Sequence, residues 1–100
     1  MKLFLTAALS FCAITPSFAD QALATSKNCM ACHNADKKIV GPSYKDIAKK
    51  YAADKAAPDN LAKKIIQGGS GAWGPVPMPA NPQVSEAESK KLAAWVLSLK

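Results

Sequence analysis

The sequence predicts an all-α domain of about four short helices, and three observations carry that expectation. Apolar residues recur at helical spacing in three stretches: Tyr44, Ile47, Ala48 and Tyr51; Leu61, Ala62, Ile65 and Ile66; Leu92, Trp95, Val96 and Leu99. No stretch shows a convincing strand pattern of alternating apolar and polar residues. Glycine and proline fall between the stripes, where they act as turn and helix-end signals.

The N-terminus reads as a leader. Met1-Lys2 is a short basic start, Leu3 to Ile14 is an apolar run, and Ser17-Phe18-Ala19 is a small-x-small cleavage site. The run is too short to cross a bilayer, so residues 1–19 are expected to be a secretory signal peptide. The domain is then residues 20–100, an 81-residue chain opening at Asp20. Cys12 leaves with the leader. Bulky Phe11 stands where an acylated lipoprotein cysteine wants a small neighbour, so no lipid anchor is expected there. No other segment is apolar enough for an integral membrane anchor, and the product is expected to be exported and soluble.

Residues 20–27 suit a first short helix, with Leu23 and Ala24 apolar and Asp20 near the start, where a negative charge favours the helix dipole. Residues 34–38 are polar loop. Ile39-Val40 is an apolar pair before the Gly41-Pro42 turn. A second helix is expected from Ser43 to Ala53, with Lys45, Lys49 and Lys50 on its solvated side. Ala56-Ala57-Pro58 breaks the pattern, and Asp59 or Asn60 is expected to cap a third helix that Gly68-Gly69 ends. Ser85-x-x-Glu88 is a capping box for the last helix, about 15 residues or roughly 22 Å long.

Two stretches do not fit a plain helical domain. The first is Cys29-Met30-Ala31-Cys32-His33, the spacing of a c-type haem attachment site. Each thiol adds across one vinyl group, and the adjacent imidazole is held close enough to bind the iron. A structural zinc site usually takes four protein ligands, but His33 is the single histidine and Cys12 the single other cysteine. A redox dithiol would sit beside a βαβ pattern, which is not visible. One covalent haem c is therefore expected, on Cys29 and Cys32, with His33 as an axial ligand.

The second stretch is residues 68–83, which hold four glycines and four prolines and no helical period. Such composition usually marks a linker, yet it brackets Trp73 and Met78, and prolines on both sides stiffen the backbone around Met78. Elimination points to Met78 as the second axial ligand. There is no second histidine, Met1 is lost with the leader, and Met30 lies between the attached cysteines. Met78 follows His33 by 45 residues, enough chain to wrap a macrocycle. Lysine, tyrosine or an open site are the alternatives, and core filling is the other use of such a methionine. With both axial positions filled, one-electron transfer is favoured over chemistry on oxygen or peroxide.

Size and charge agree with this expectation. A domain this small often needs a staple, and its two cysteines are claimed by the haem motif. Without Lys2 there are twelve lysines against seven acids, a formal +5, which keeps the protein soluble and steers it toward acidic partners. An exported domain with no arginine and no basic-aromatic stripe is not expected to bind nucleic acid.

The whole of residues 20–100 resembles the small bacterial class I monohaem cytochromes c of the c-551/c-552 type. The resemblance is carried by the haem motif, by Val40-Gly41-Pro42-Ser43-Tyr44-Lys45-Asp46, by Trp73-Gly74-Pro75-Val76-Pro77-Met78-Pro79, and by Leu92-Ala93-Ala94-Trp95-Val96-Leu97. It implies the class I fold, its helices wrapped around one haem, and a periplasmic, monomeric electron carrier rather than an enzyme. Its partners would be an upstream cytochrome complex and a terminal reductase or oxidase of respiration or denitrification. It implies that Pro42 offers its carbonyl to His33, that Trp73 donates to a haem propionate, and that Asn81 hydrogen-bonds near the Met78 sulfur. Family members often carry arginine near the propionates where this chain has Lys64, which brings the charge without the planar fork. Lys27, Lys37 and Lys38 are expected near the docking surface.

Overall fold

The last helix is the element against which the others pack. The computed structural model describes residues 18–99. In chain order it has α1 (Phe18–Ser26), a 3-10 turn (Cys29–Ala31), α2 (Tyr44–Lys50), α3 (Ala57–Gln67), β1 (Gly69–Gly71), β2 (Gly74–Met78) and α4 (Glu86–Ser98). The expected leader lies outside the described residues, apart from Phe18 and Ala19, which open α1.

α4 supplies Leu92, Trp95 and Val96 to a core completed by Ala24 of α1, Tyr44 and Ile47 of α2, and Val84. Tyr44 and Trp95 meet edge to face with ring centroids 5.2 Å apart, a geometry worth about 1 kcal/mol beyond the area it buries. The stripes read from the sequence are thus the faces turned inward. The third stripe is different: Ala62 is buried, but Leu61, Ile65 and Ile66 are only half-buried.

Capping explains where the helices begin. The Ser43 side chain accepts from the Asp46 N–H at 3.1 Å, so α2 starts at Tyr44. In α4, the Ser85 hydroxyl accepts from the Glu88 N–H at 3.1 Å while Glu88 accepts from the Ser85 N–H at 3.0 Å, the reciprocal box its sequence predicts.

Three expectations are corrected. α3 begins at Ala57, not after Asp59 or Asn60, because Pro58 falls in the first turn, where its missing N–H costs no bond and its fixed φ suits a helix. α2 stops at Lys50 rather than Ala53, and the chain continues as turn. Residues 69–78 form a two-stranded antiparallel hairpin, pairing Gly69 with Met78 and Gly71 with Gly74. Strand patterning could not show it, since its residues are nearly all exposed and hold no inward-outward alternation.

Two ion pairs join the ends of the described chain, Lys91 with Asp20 at 3.9 Å and Lys27 with Glu88. The Lys27 ammonium lies 3.5 Å from Glu88 and donates to the Gln83 carbonyl at 3.1 Å. The Glu88 carboxyl is held below its ordinary value, first by the Ser85 backbone N–H, then by the Ser85 hydroxyl and Lys27. The folded state therefore holds this proton less tightly than the unfolded chain. Its stabilisation is present above the ordinary carboxylate pKa of 4.5 and is lost as pH falls through the lowered value. Denaturant unfolding at a series of pH values is expected to show a shallower loss below pH 4.5 for Glu88→Gln than for the unaltered protein. Parallel curves for the two would count against the contact.

Candidate functional site

The two thiols and the imidazole are brought together by a change of backbone direction at Asn28. Asn28 takes φ +64°, a left-handed conformation that asparagine tolerates better than most residues. It ends α1 and starts the 3-10 turn at Cys29. The Cys32 and His33 N–H groups both return to the Cys29 carbonyl, at 3.3 and 3.0 Å, so the five-residue motif closes on itself. Both thiols are free and half-buried. Burial pushes the Cys29 thiol above its ordinary value, opposite to the lowered pKa of an activated redox dithiol.

His33 is held from three directions. Its Nδ1 donates to the Pro42 carbonyl at 2.8 Å, which leaves Nε2 as the nitrogen able to bind a metal. The Tyr44 ring stacks on the imidazole with centroids 5.2 Å apart and 22° between planes. Gly41 closes the third side: a Cβ built there would stand 2.5 Å from His33 Cε1. Gly41 itself is pinned by its N–H donating to the Cys32 carbonyl at 2.8 Å. Burial pushes the Tyr44 phenol well above its ordinary value, with Cys29 and Cys32 adding to the effect.

His33 and Met78 border one cavity of 630 Å³, walled by α2, α3, the hairpin, α4 and the loop at residues 38–42. Its walls include Cys32, Ile47, Leu61, Ile65, Trp73 and Val76. Ile39, Val40, Trp73 and Val76 are large apolar side chains left 53, 51, 41 and 62 % exposed, and all four border this cavity. Exposed apolar surface gathered on one concavity marks a surface that something covers. The volume falls within the roughly 300–1,000 Å³ of cofactor sites. Cys32 stands on the wall and Cys29 in the turn just before it, outside the lining; a flat apolar macrocycle tethered at that turn fits these walls, with an imidazole and a thioether among the donors that border it.

Met78 is delivered by the end of α3. Gly68 caps that helix with φ +68°, and a Cβ there would lie 2.4 Å from the Met78 carbonyl oxygen. Glycine is required both for the turn and for the close approach. Beyond Met78, the Asn81 N–H donates to the Ile66 carbonyl at 3.0 Å, and the Asn81 side-chain amide donates to Ile65 at 2.8 Å and Pro79 at 3.3 Å. The Asn81 side chain thus ties the segment after Met78 to the end of α3.

Other expected residues fall as follows. Pro42 sits at the His33 nitrogen. Trp73 borders the cavity with its ring beneath the Lys50 ammonium, 4.5 Å from the centroid. Lys64 also borders the cavity, its ammonium against Gly69. Lys38 lies on the cavity wall. The Lys27 ammonium is engaged by Glu88 and by the Gln83 carbonyl. Tyr44 had been legible only as a core residue, and Gly41 only as part of a turn. Nothing in one sequence says that either touches His33, since both contacts cross a loop.

Known proteins were compared with the chain. A family model described as Cytochrome c matches residues 20–100. Cytochrome c-552 of Hydrogenobacter thermophilus is 55% identical over 99 residues, covering 99% of this chain and 98% of that protein. Cytochrome c-551 of Pseudomonas aeruginosa is 50% identical over 80 residues, 80% of this chain and 76% of that one. The crystal structure of Nitrosomonas europaea cytochrome c552 superposes with TM-score 0.78 at 52% identity, covering 80% of this chain and 99% of that chain. The class 1 cytochrome MtoD of Sideroxydans lithotrophicus gives TM-score 0.69 at 34% identity, covering 81% and 92%.

Gly41→Ala tests the seat of the imidazole. With no left-handed φ at Gly41, the three atoms nearest the added methyl all belong to the His33 ring, and a loss of about 1–3 kcal/mol is expected in denaturant unfolding. Unchanged stability would mean that the ring swings aside freely.

Proposed function

This chain belongs to the cytochrome c family, and we propose that it carries single electrons in the periplasm through a haem ligated by His33 and Met78. Like its family, it is an electron-transfer protein with one covalent haem c and the class I fold. The observation that carries the proposal is that a single apolar cavity is bordered by both His33, with its Nδ1 already engaged, and Met78.

The bound haem supplies a one-electron couple. The residues around it do the rest. Cys29 and Cys32 hold it by thioether bonds, which removes any dependence on affinity. Pro42 fixes the imidazole tautomer, so that Nε2 is the free nitrogen. Met78 would hold the iron from the side opposite His33 with a neutral thioether, a donor that raises the potential. Trp73 and Lys64, both on the cavity wall, are the groups proposed to meet the propionates, one as an N–H donor and the other as a cation. Asn81 acts one step removed, tying the segment after Met78 to the end of α3.

With both axial positions held by the chain, the protein acts as a carrier rather than an enzyme. The leader at residues 1–19 supports export to the periplasm, where an upstream cytochrome complex and a terminal reductase or oxidase are the proposed partners of a monomeric carrier. Among the described residues no helix is long and apolar enough to cross a membrane. The excess of lysine over acidic residues favours acidic docking surfaces on those partners.

The oxidised protein is expected to show the weak near-infrared band of sulfur bound to ferric haem. Axial ligands set haem potentials over roughly 0.8 V, and Met78→Ala is expected to lower the potential by on the order of 100 mV and to let carbon monoxide bind the reduced protein rapidly. An unchanged potential in that variant would sink the assignment.

A further inference from the structure

The hairpin that carries Trp73 and Met78 is poorly equipped to hold its own shape. It has two residue pairs in register, Gly69 with Met78 and Gly71 with Gly74, and an irregularity between them. Such a two-stranded unit is marginal by itself. Gly69, Gly71 and Gly74 have φ of +149°, +103° and +109°, so the backbone uses conformations that bring no side-chain stiffness. Residues 69–77 are exposed throughout.

Its base is well tied to α3. The Gly68 N–H donates to the Lys64 carbonyl at 2.8 Å and the Asn81 N–H to Ile66 at 3.0 Å. Its tip is another matter. Among the described residues, one hydrogen bond joins the turn between the strands to a different element, and it comes from Lys50, the last residue of α2. The Lys50 ammonium donates to the Ala72 carbonyl at 2.8 Å. The same ammonium lies 4.5 Å from the Trp73 ring centroid and 5.7 Å from that of Tyr51. One cation thus grips the turn by its backbone and by its aromatic side chain at once. Among the described residues it has no acidic partner to compete for it.

We propose that Lys50 is a positioning residue that braces the hairpin tip against α2 and thereby sets where Trp73 stands on the cavity wall. The hydrogen bond fixes the height of the turn, and the cation over the indole fixes the tilt of the ring. The same brace limits how far β2 can swing, and so limits the travel of Met78 at its far end. That last consequence rests on Met78 being an iron ligand. The brace itself does not. A lysine on the polar side of an amphipathic helix reads as solvated, which is why its sequence context does not reveal it.

The test uses the haem-loaded protein and three variants: Lys50→Met, Lys50→Arg, and Lys49→Met as a control for loss of one charge from the same helix. Amide hydrogen exchange is followed at the non-proline residues of 70–78 and, as reference, at residues 92–96 of α4. The Trp73 indole N–H resonance is followed by NMR. Lys50→Met is expected to speed exchange in the hairpin about fivefold, to leave α4 unchanged, and to shift the Trp73 resonance. Lys50→Arg is expected to restore both, and Lys49→Met to change neither. The proposal is overturned if Lys50→Met matches the unaltered protein, if Lys49→Met has the same effect, or if α4 loosens equally. The near-infrared sulfur band of the unaltered protein is recorded alongside. Its absence would remove the Met78 reading and leave the exchange comparison standing.

Discussion

α2, α3, both strands and α4 are arranged around apolar surface that the polypeptide does not fill. Ile39, Val40, Trp73 and Val76 stand exposed on the walls of one cavity, and Leu61 and Ile65 of α3 border it half-buried. A domain of about 80 residues buries little surface to begin with, so leaving these side chains bare forgoes a sizeable share of its hydrophobic stabilisation. A covalent haem, as this family carries, would cover them. Folding and cofactor attachment are therefore one problem, in the way that metal binding and folding are coupled in small metalloproteins.

The two sides of the cavity are built with different stiffness. On the histidine side, Gly41, Pro42 and Tyr44 surround the imidazole, and Tyr44 passes the contact on to Trp95 in the middle of α4. That chain of rings ties the imidazole to α4, the helix against which the others pack. On the methionine side, the carrier is an exposed, glycine-rich hairpin anchored at its base by Gly68 and Asn81. Rigidity on one side keeps the tautomer and orientation of the imidazole constant. On the other, stiffness comes from prolines and from contacts that reach in from α2 and α3.

Much of the fold was legible because helices announce themselves locally. The stripes through Tyr44, Ile47 and Ala48 and through Leu92, Trp95 and Val96 did become the core, and the Ser85–Glu88 box did start α4. Pro58 was taken as a breaker because a proline opening a helix and a proline ending one look alike in sequence. The hairpin at residues 69–78 was missed because it is held by glycine conformations and by neighbours, not by alternating side chains.

By itself the sequence determined the chemistry: two thiols and an imidazole at attachment spacing, one further thioether framed by prolines, and helical stripes with too little core for a domain of this size. Those are properties of residue type and spacing, and they survive any folding detail. Only the tertiary structure decided which groups press on His33, why Gly41 and Gly68 have no side chain, and which lysine holds the hairpin. Each of those depends on distances between segments 8 to 22 residues apart, and no local pattern encodes the distance at which two such segments come to rest.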